Sequence, residues 1–351
     1  MIKYISRRLF YGGVVLVLVV TLISSIIYLA PVDPASLTFG QRADVESVEA
    51  KRSALGLNQP LSIQLLWYLR DISPISIHED SPENQALYHY KTLVDLGEKV
   101  LVLKSPYLRE SYQSGRSVRE ILGQAIPQTA FLALSALSIA IFIGISLGIV
   151  AAIRQNSWFD NAAVVSSVFG YSIPSYVTAI ILAFVFGFAL SEYTGLNITG
   201  SLLEINDLGE EYYAWQNLIL PAIALGIRPV GIITQLTRSA MLDVLSQDYI
   251  RTAKSKGLSK RTVIIKHALR NALNPVTTAI SGWFGALLAG SFFVESVFSY
   301  KGLGYETVQA LLTFDIPVIL GCVLFTAVVF VAINVFTDLI YALLDPRVSV
   351  S

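Results

Sequence analysis

Three histidines, His78, His89 and His267, are the side chains best suited to proton transfer or metal ligation near neutral pH, and they stand far apart in the sequence. No cysteine or second histidine accompanies His267, so it reads as a packing residue. Cys322 is the sole cysteine; it lies in an apolar run, has no partner for an internal disulfide, and reads as a small buried hydrophobe. A Gly-x-x-x-x-Gly-Lys-Ser/Thr loop is missing, so the chain lacks the usual cradle for nucleotide phosphates. No Ser/His/Asp constellation or pair of carboxylates is placed for acid–base or nucleophilic work. The expectation is a chain that is not an enzyme, with no catalytic residue, metal or cofactor of its own. A net charge of +0 gives no reason to expect a nucleic-acid partner.

The chemistry that remains lies inside apolar runs. Arg228 and Asp338 are the ionisable residues there, and charge at membrane depth marks a pathway, a relay or a partnered site. Arg228 reads as pathway-lining or paired, Asp338 as interfacial. Tyr171, Ser172, Pro174 and Ser175 form a polar break in another run. Pro174 removes a backbone hydrogen bond and kinks the helix, and the two serines can satisfy the freed groups.

What must position these residues is a membrane-spanning frame. The chain is 54% hydrophobic and only 14% charged, against about 25% charged in a soluble domain, and the deficit is concentrated in long uncharged runs. Six runs approach the length needed to cross: Leu9 to Leu29, Thr129 to Ile153, Ala162 to Leu190, Leu218 to Leu236, Val276 to Phe298 and Pro317 to Leu339. Arg228 and Pro229 interrupt the fourth. Lys3, Arg7 and Arg8 precede the first run and place both termini in the cytoplasm. The segments then assigned to that side carry thirteen basic and four acidic residues, as the charge bias of membrane insertion requires. Ser6-Arg7-Arg8-Leu9-Phe10 has the form of a twin-arginine export signal, but the run behind it is too long and lacks a cleavage site, so an uncleaved anchor is expected.

The division is therefore residues 1–30 (amino terminus and first span), an outer segment 31–128, and a core 129–351 with a cytoplasmic loop 238–274. The outer segment predicts a helix from Val45 to Leu55 ended by Gly56. It also predicts an amphipathic stretch from Leu61 to Leu69 along the membrane surface; the part from Ile72 to Pro106 carries no assignable pattern. Small residues recur every fourth position at Ala136, Ala140, Gly144 and Gly148, and again at Gly282, Ala286 and Gly290. Both stripes predict close helix packing.

The loop 238–274 holds eight basic residues against two acidic ones, interleaved with Tyr249, Ile250, Ala253 and Leu258, which suits a docking element. It predicts a helix to about Lys256 ended by Gly257, and a second helix capped by Ser259 and closed by Asn274-Pro275. The stretch Asp248-Tyr249-Ile250-Arg251-Thr252-Ala253-Lys254-Ser255-Lys256-Gly257-Leu258-Ser259 resembles the coupling loop of binding-protein-dependent ABC importer permeases. So does His267-Ala268-Leu269-Arg270-Asn271-Ala272-Leu273-Asn274-Pro275. Within that family the chain resembles the first permease subunit of the dipeptide/oligopeptide/nickel group. The likeness extends to Asp33-Pro34, Leu55-Gly56-Leu57-Asn58-Gln59-Pro60-Leu61, Gly148-Ile149-Val150-Ala151-Ala152, Val294-Glu295-Ser296-Val297-Phe298, Gly302-Leu303-Gly304, and Asn334 with Asp338, Tyr341 and Asp345-Pro346-Arg347.

Departures are also present. Arg251, Thr252 and Ala253 stand where the general signature has Glu-Ala-Ala, and His267, Leu269 and Arg270 stand at its Ile-x-Leu-Pro places. Lys301 replaces the usual proline before Gly302, and the outer segment is longer than the family pattern suggests. The resemblance implies an all-α integral membrane protein with six transmembrane helices and the type I ABC importer permease fold, in a bacterial inner membrane. It implies a translocation pathway for peptides shared with a homologous second permease. Two ATPase subunits would bind ATP and Mg, and an extracytoplasmic substrate-binding protein would deliver the cargo. It places contact with the ATPase on Tyr249, Arg251, Thr252, Ala253, Lys256, Gly257 and Leu258. The competing readings are a secondary transporter working without an ATPase, and a membrane scaffold.

Overall fold

The computed structural model describes residues 2–29, 34–39, 44–288 and 291–344. These fall into two compact units. One comprises Ile126–Tyr305 with the chain from Val329 onward; the other comprises Ser6–Ala125 with Glu306–Val328.

The second unit begins with α1 (Ile2–Leu29), which enters it at Ser6, followed by α2 (Pro34–Phe39), α3 (Val45–Ala54) and α4 (Leu61–Ile72). Asp44 caps α3 by accepting from the Ser47 amide at 2.6 Å, and Gly56 turns the chain at φ 69°, as the sequence predicts. A Cβ at Gly56 would lie 2.8 Å from the Trp67 ring, so the turn also needs the missing side chain. Helix α4 is less superficial than its amphipathic pattern suggests. It buries Gln64, Tyr68 and Asp71, and Tyr68 packs with Val20, Tyr112, Ile316 and Leu320.

The part that carried no pattern, Ile72 to Pro106, is a small antiparallel sheet. Strands β1 (Ile75–Glu79), β2 (Lys91–Asp95) and β3 (Lys99–Leu103) lie in the order β1-β3-β2, with α5 (Pro82–Tyr88) between the first two. The sheet is a local exception in a chain that is otherwise mostly helical, as expected. β1 buries Ser76 and His78 on one face, while β2 is exposed throughout, so apolar alternation survives only in β3.

Helix α6 (Val118–Ile153) carries the chain into the first unit. There follow α7 (Trp158–Ser172), α8 (Ser175–Leu182), a π-helical segment Ala183–Ala189, α9 (Ser191–Thr194), and the two-stranded β4 (Leu203–Ile205) and β5 (Glu211–Tyr213). Next come α10 (Gln216–Leu245), α11 (Asp248–Ser255), α12 (Lys260–Thr262), a π-helical segment Val263–Leu269, and α13 (Arg270–Leu288). The last elements are α14 (Phe292–Val297), α15 (Leu303–Thr313) and α16 (Ile316–Leu344).

Among the described residues, four helices are long and apolar enough to cross a membrane: Ser6–Ile27 within α1, α6, α10, and Ile316–Phe336 within α16. A fifth crossing exists if α7 and Ser175–Ala189, bent by 99° at their junction, form one span. The sixth predicted run, Val276 to Phe298, is divided between α13 and α14, with residues 289–290 outside the described set.

Helix α10 passes straight through Arg228 and Pro229, so these residues do not interrupt it. Asn274-Pro275 likewise does not close a helix; α13 continues through Pro275. Proline is tolerated inside membrane helices where hydroxyls and local π turns satisfy freed carbonyls. Pro275 withholds a donor from the Asn271 carbonyl four residues back, and α13 continues without that bond; two residues on, the Thr277 hydroxyl donates to the carbonyls of Leu273 (3.0 Å) and Asn274 (2.8 Å).

Helix α10 is the spine of its unit. A Cβ at Gly144 would sit 2.8 Å from Ile233, and one at Gly148 would sit 2.6 Å from Thr237, so the predicted stripe on α6 packs against α10 with no room for a side chain. Two α10 glycines complete the contacts: a Cβ at Gly226 would meet the Ala136 carbonyl at 2.9 Å, and one at Gly231 the Ser167 carbonyl at 2.5 Å. The second stripe behaves differently. Gly282 has nothing within 4 Å of a Cβ position and Ala286 is exposed, while Gly290 lies outside the described residues. The α13 glycine that packs is Gly285, against Ile333.

Candidate functional site

Three constellations in the α10 unit bear on function. The first is the loop at 246–259. Helix α11 starts after a break at Ser246–Gln247, and the Lys256 amide donates back to the Thr252 carbonyl before Gly257 turns the chain at φ 78°. A Cβ at Gly257 would meet nothing within 4 Å, so glycine is needed there for its backbone conformation alone. The Ser259 hydroxyl caps the following turn, accepting from the Thr262 amide at 3.3 Å.

The inward face of α11 presents Ile250 and Ala253 to Met241, Val263, Ala268 and Ala272. Ala253, expected at the contact with the ATPase, is 7% exposed and packs on this inward face. Tyr249, Arg251, Thr252, Lys256, Gly257 and Leu258 face outward. The Tyr249 hydroxyl is held by Asn271 Nδ2 at 2.8 Å, tying α11 to α13. Arg251 pairs only with Asp248 at 3.4 Å, and both are far too exposed for that bond to hold the guanidinium. The element is thus a short helix fixed from behind, with an exposed cationic front.

The second constellation surrounds the break between α7 and α8. Ile173 and Pro174 leave helical geometry, and Pro174 stands at the amino-terminal cap of α8, so the expected kink is a full break. The Ser172 hydroxyl donates to the Val168 carbonyl at 2.8 Å, and the Pro174 carbonyl accepts from the Val177 amide at 3.0 Å. Tyr171, Ser172, Pro174 and Tyr176 are exposed, with Ser175 half-buried. Arg228 of α10 is brought to Tyr171: its guanidinium carbon lies 5.4 Å from the ring centroid. Arg228 Nε is buried and has no hydrogen-bond partner among the described residues. The side chain of Asp338, the other charge singled out, lies outside the described ones, as do Asp33, Tyr341 and Asp345-Pro346-Arg347.

The third constellation was not foreseen as a site, although its residues supplied part of the resemblance. Glu295 is fully buried and accepts from Thr129 Oγ1 (3.1 Å), Ser291 Oγ (3.2 Å) and the amides of Gly304 (2.8 Å) and Tyr305 (3.1 Å). The Thr129 hydroxyl also accepts from the Leu303 amide at 2.7 Å, and Tyr300 donates to the Gln128 carbonyl at 3.0 Å. A Cβ at Gly302 would collide with Glu295 and Thr129, and one at Gly304 would lie 2.8 Å from the Phe292 amide nitrogen. Val294–Phe298 and Gly302–Gly304 together close one polar knot around a carboxylate. Asp160 and Arg238 form a further internal pair at 2.5 and 2.7 Å, joining the start of α7 to α10. The Thr129–Glu295 and Arg238–Asp160 bonds join residues 166 and 78 positions apart, so neither has a local sequence signal.

With this geometry in view, similarity to known proteins identifies the family. Residues 144–350 match the binding-protein-dependent transport system inner membrane component family, and residues 1–133 match the amino-terminal part of the same kind of transport component. A Brucella abortus protein assigned to peptide transport as a system permease is 36% identical over 349 residues, covering 99% of both chains. The dipeptide transport system permease protein DppB of Bacillus subtilis is 33% identical over 349 residues, covering 99% of this chain and 98% of its own. The glutathione transport system permease protein GsiC of Salmonella choleraesuis is 32% identical, covering 99% of both. These full-length matches correct one expectation: the outer segment is shared by the relatives rather than in excess of them. A solved inward-facing MetNI methionine ABC transporter shares the fold, with a TM-score of 0.50 at 14% identity over 64% of this chain and 97% of its own. The chain is not an enzyme but a multi-pass membrane permease, and it belongs to the family of binding-protein-dependent transport system inner membrane components.

Proposed function

We propose that the chain forms half of an alternating-access importer for peptides. It would pair with a homologous permease, dock two ATPase subunits that bind ATP and Mg, and receive cargo from an extracytoplasmic binding protein. The names of the full-length relatives support peptides as the cargo class. Both termini and the 238–274 loop lie in the cytoplasm on this reading, in accord with the charge bias.

The observation that carries the docking assignment is α11. It is braced from behind by Ile250, Ala253 and the Tyr249–Asn271 bond, and it leaves Arg251, Thr252, Lys256 and Leu258 outward. A braced helix moves as a rigid body, so closure of the ATPase pair would be passed into α10 and α13, between which α11 lies in the chain. The ion-coupled alternative rests on charges at membrane depth, and among the described residues Arg228 is met by an aromatic ring rather than by an acidic relay partner.

A mild-detergent pull-down of the tagged chain tests this, with mass spectrometry as the readout. The wild type is expected to retain an ATPase and a second permease. Arg251→Glu combined with Gly257→Pro is expected to lose the ATPase alone, because proline has no access to the positive φ of Gly257. Purification of the chain without partners in both forms would overturn the importer assignment.

A further inference from the structure

We propose that Arg228, backed by Tyr171, binds the terminal carboxylate of the transported peptide. The inference rests on the importer reading and adds a chemical site to it.

The position is unusual for an arginine. Arg228 is well inside the apolar helix α10, where a charge demands a partner. Its neighbours supply only one: the face of Tyr171 steadies the guanidinium at 5.4 Å, and among the described residues Arg228 makes no ion pair. A ring face attracts the cation but leaves the in-plane N–H donors open. Nε is one of these, buried and unused. A carboxylate is the group whose two oxygens match two adjacent guanidinium donors in one plane.

The same helix displays that match ten residues on. There Arg238 receives Asp160 through Nε at 2.5 Å and Nη2 at 2.7 Å. Arg228 has the same guanidinium donors, and no acid among the described residues fills them. Tyr171, Ser172 and Tyr176 beside it are exposed at the α7–α8 break, and their hydroxyls suit the polar backbone of a peptide.

Competing occupants are a carboxylate of the second permease and a lipid phosphate. The test uses the assembled transporter in nanodiscs, with Ser172→Cys as the reporter in a Cys322→Ala background. The rate of maleimide labelling is followed against added alanyl-alanine or its carboxy-terminal amide. The free peptide is expected to protect Cys at this position, and the amide to need about tenfold more for half protection, the factor of one charge-assisted pair. Arg228→Gln should raise the half-protecting concentration of the free peptide about tenfold and abolish the difference, with Arg228→Lys intermediate.

Equal protection by acid and amide in the wild type would overturn the proposal without recourse to any variant. So would protection insensitive to Arg228→Gln, no protection by either peptide, or protection that follows anionic lipid content instead. Uptake of labelled alanyl-alanine by cells expressing the full transporter separates the two readings. Protection without uptake removes the importer assignment, whereas uptake without protection removes only the carboxylate site.

Discussion

Glu295 and Arg228 are both charged side chains among apolar helices, and their surroundings are opposites. Glu295 has no exposed surface and four donors aimed at it, from Thr129, Ser291, Gly304 and Tyr305. Arg228 has one ring face and a buried donor with no acceptor among the described residues. A buried polar group that is fully satisfied fixes structure, whereas one left unsatisfied costs stability and is kept where a ligand or partner completes it. The comparison separates a structural charge from a working one by counting partners, with no reference to distance from the membrane.

The largest expected effect falls on the satisfied member. Glu295→Ala strands four donors at once and should lower stability by at least about 3 kcal/mol, seen as loss of the folded chain in detergent extraction and thermal melting. Arg228→Gln should change melting by less than about 1 kcal/mol while altering peptide interaction. If Arg228→Gln proves as damaging as Glu295→Ala, the distinction between the two fails.

A smaller effect tests the same logic on packing. Gly148→Val must push against Thr237 and the Thr234 carbonyl, both under 3 Å from the new Cβ, and should cost about 1–3 kcal/mol. Gly282→Val meets nothing and should leave the isolated chain unchanged. Equal melting temperatures for the two would mean that the α6–α10 contact is looser than described.

The smallest effect concerns Lys104, a buried cation outside the membrane that is intermediate in satisfaction. Its Nζ donates to the Asp71 carbonyl at 2.6 Å and sits 4.4 Å from the Tyr88 ring centroid. Burial brings its pKa down to about 8, from 10.5. Between those values the unfolded chain holds a proton that the folded chain has released, so stability rises with pH from about 8. Tyr88, raised to about 12 by burial, begins to oppose the trend above about 10, the unfolded tyrosine value. Chemical denaturation from pH 8 to 10 should show the rise in the wild type and a flatter profile in Lys104→Met.

Much of this arrangement was legible because it is local. The glycine turns at Gly56 and Gly257, the Ser259 cap and the α6 stripe all depend on neighbours within a turn or two. The α7–α8 break at Pro174 was legible for the same reason, though its sharpness was not. Three things were not legible. Gly226 and Gly231 lack the four-residue spacing of a stripe because they serve two different partners, Ala136 on α6 and Ser167 on α7. Glu295 and Asp160 bond to groups remote in sequence, which leaves no periodic trace. Pro275 looked like a helix end because it lacks the amide a helix interior uses, and only the folded chain shows α13 continuing past the missing bond.

The π-helical segment Val263–Leu269 has a consequence for descent. Each wider turn amounts to one surplus residue within a helix. Removing that residue would return the segment to α geometry and rotate everything behind it by about 100°. Val276, buried against Ala140 and Ile233, would leave its seat, and the exposed side bearing Gly282 and Ala286 would turn with it. The chain's length at this point therefore acts as a reading frame: single-residue deletions between Val263 and Leu269 should be purged from its lineage even where each side chain there is free to vary.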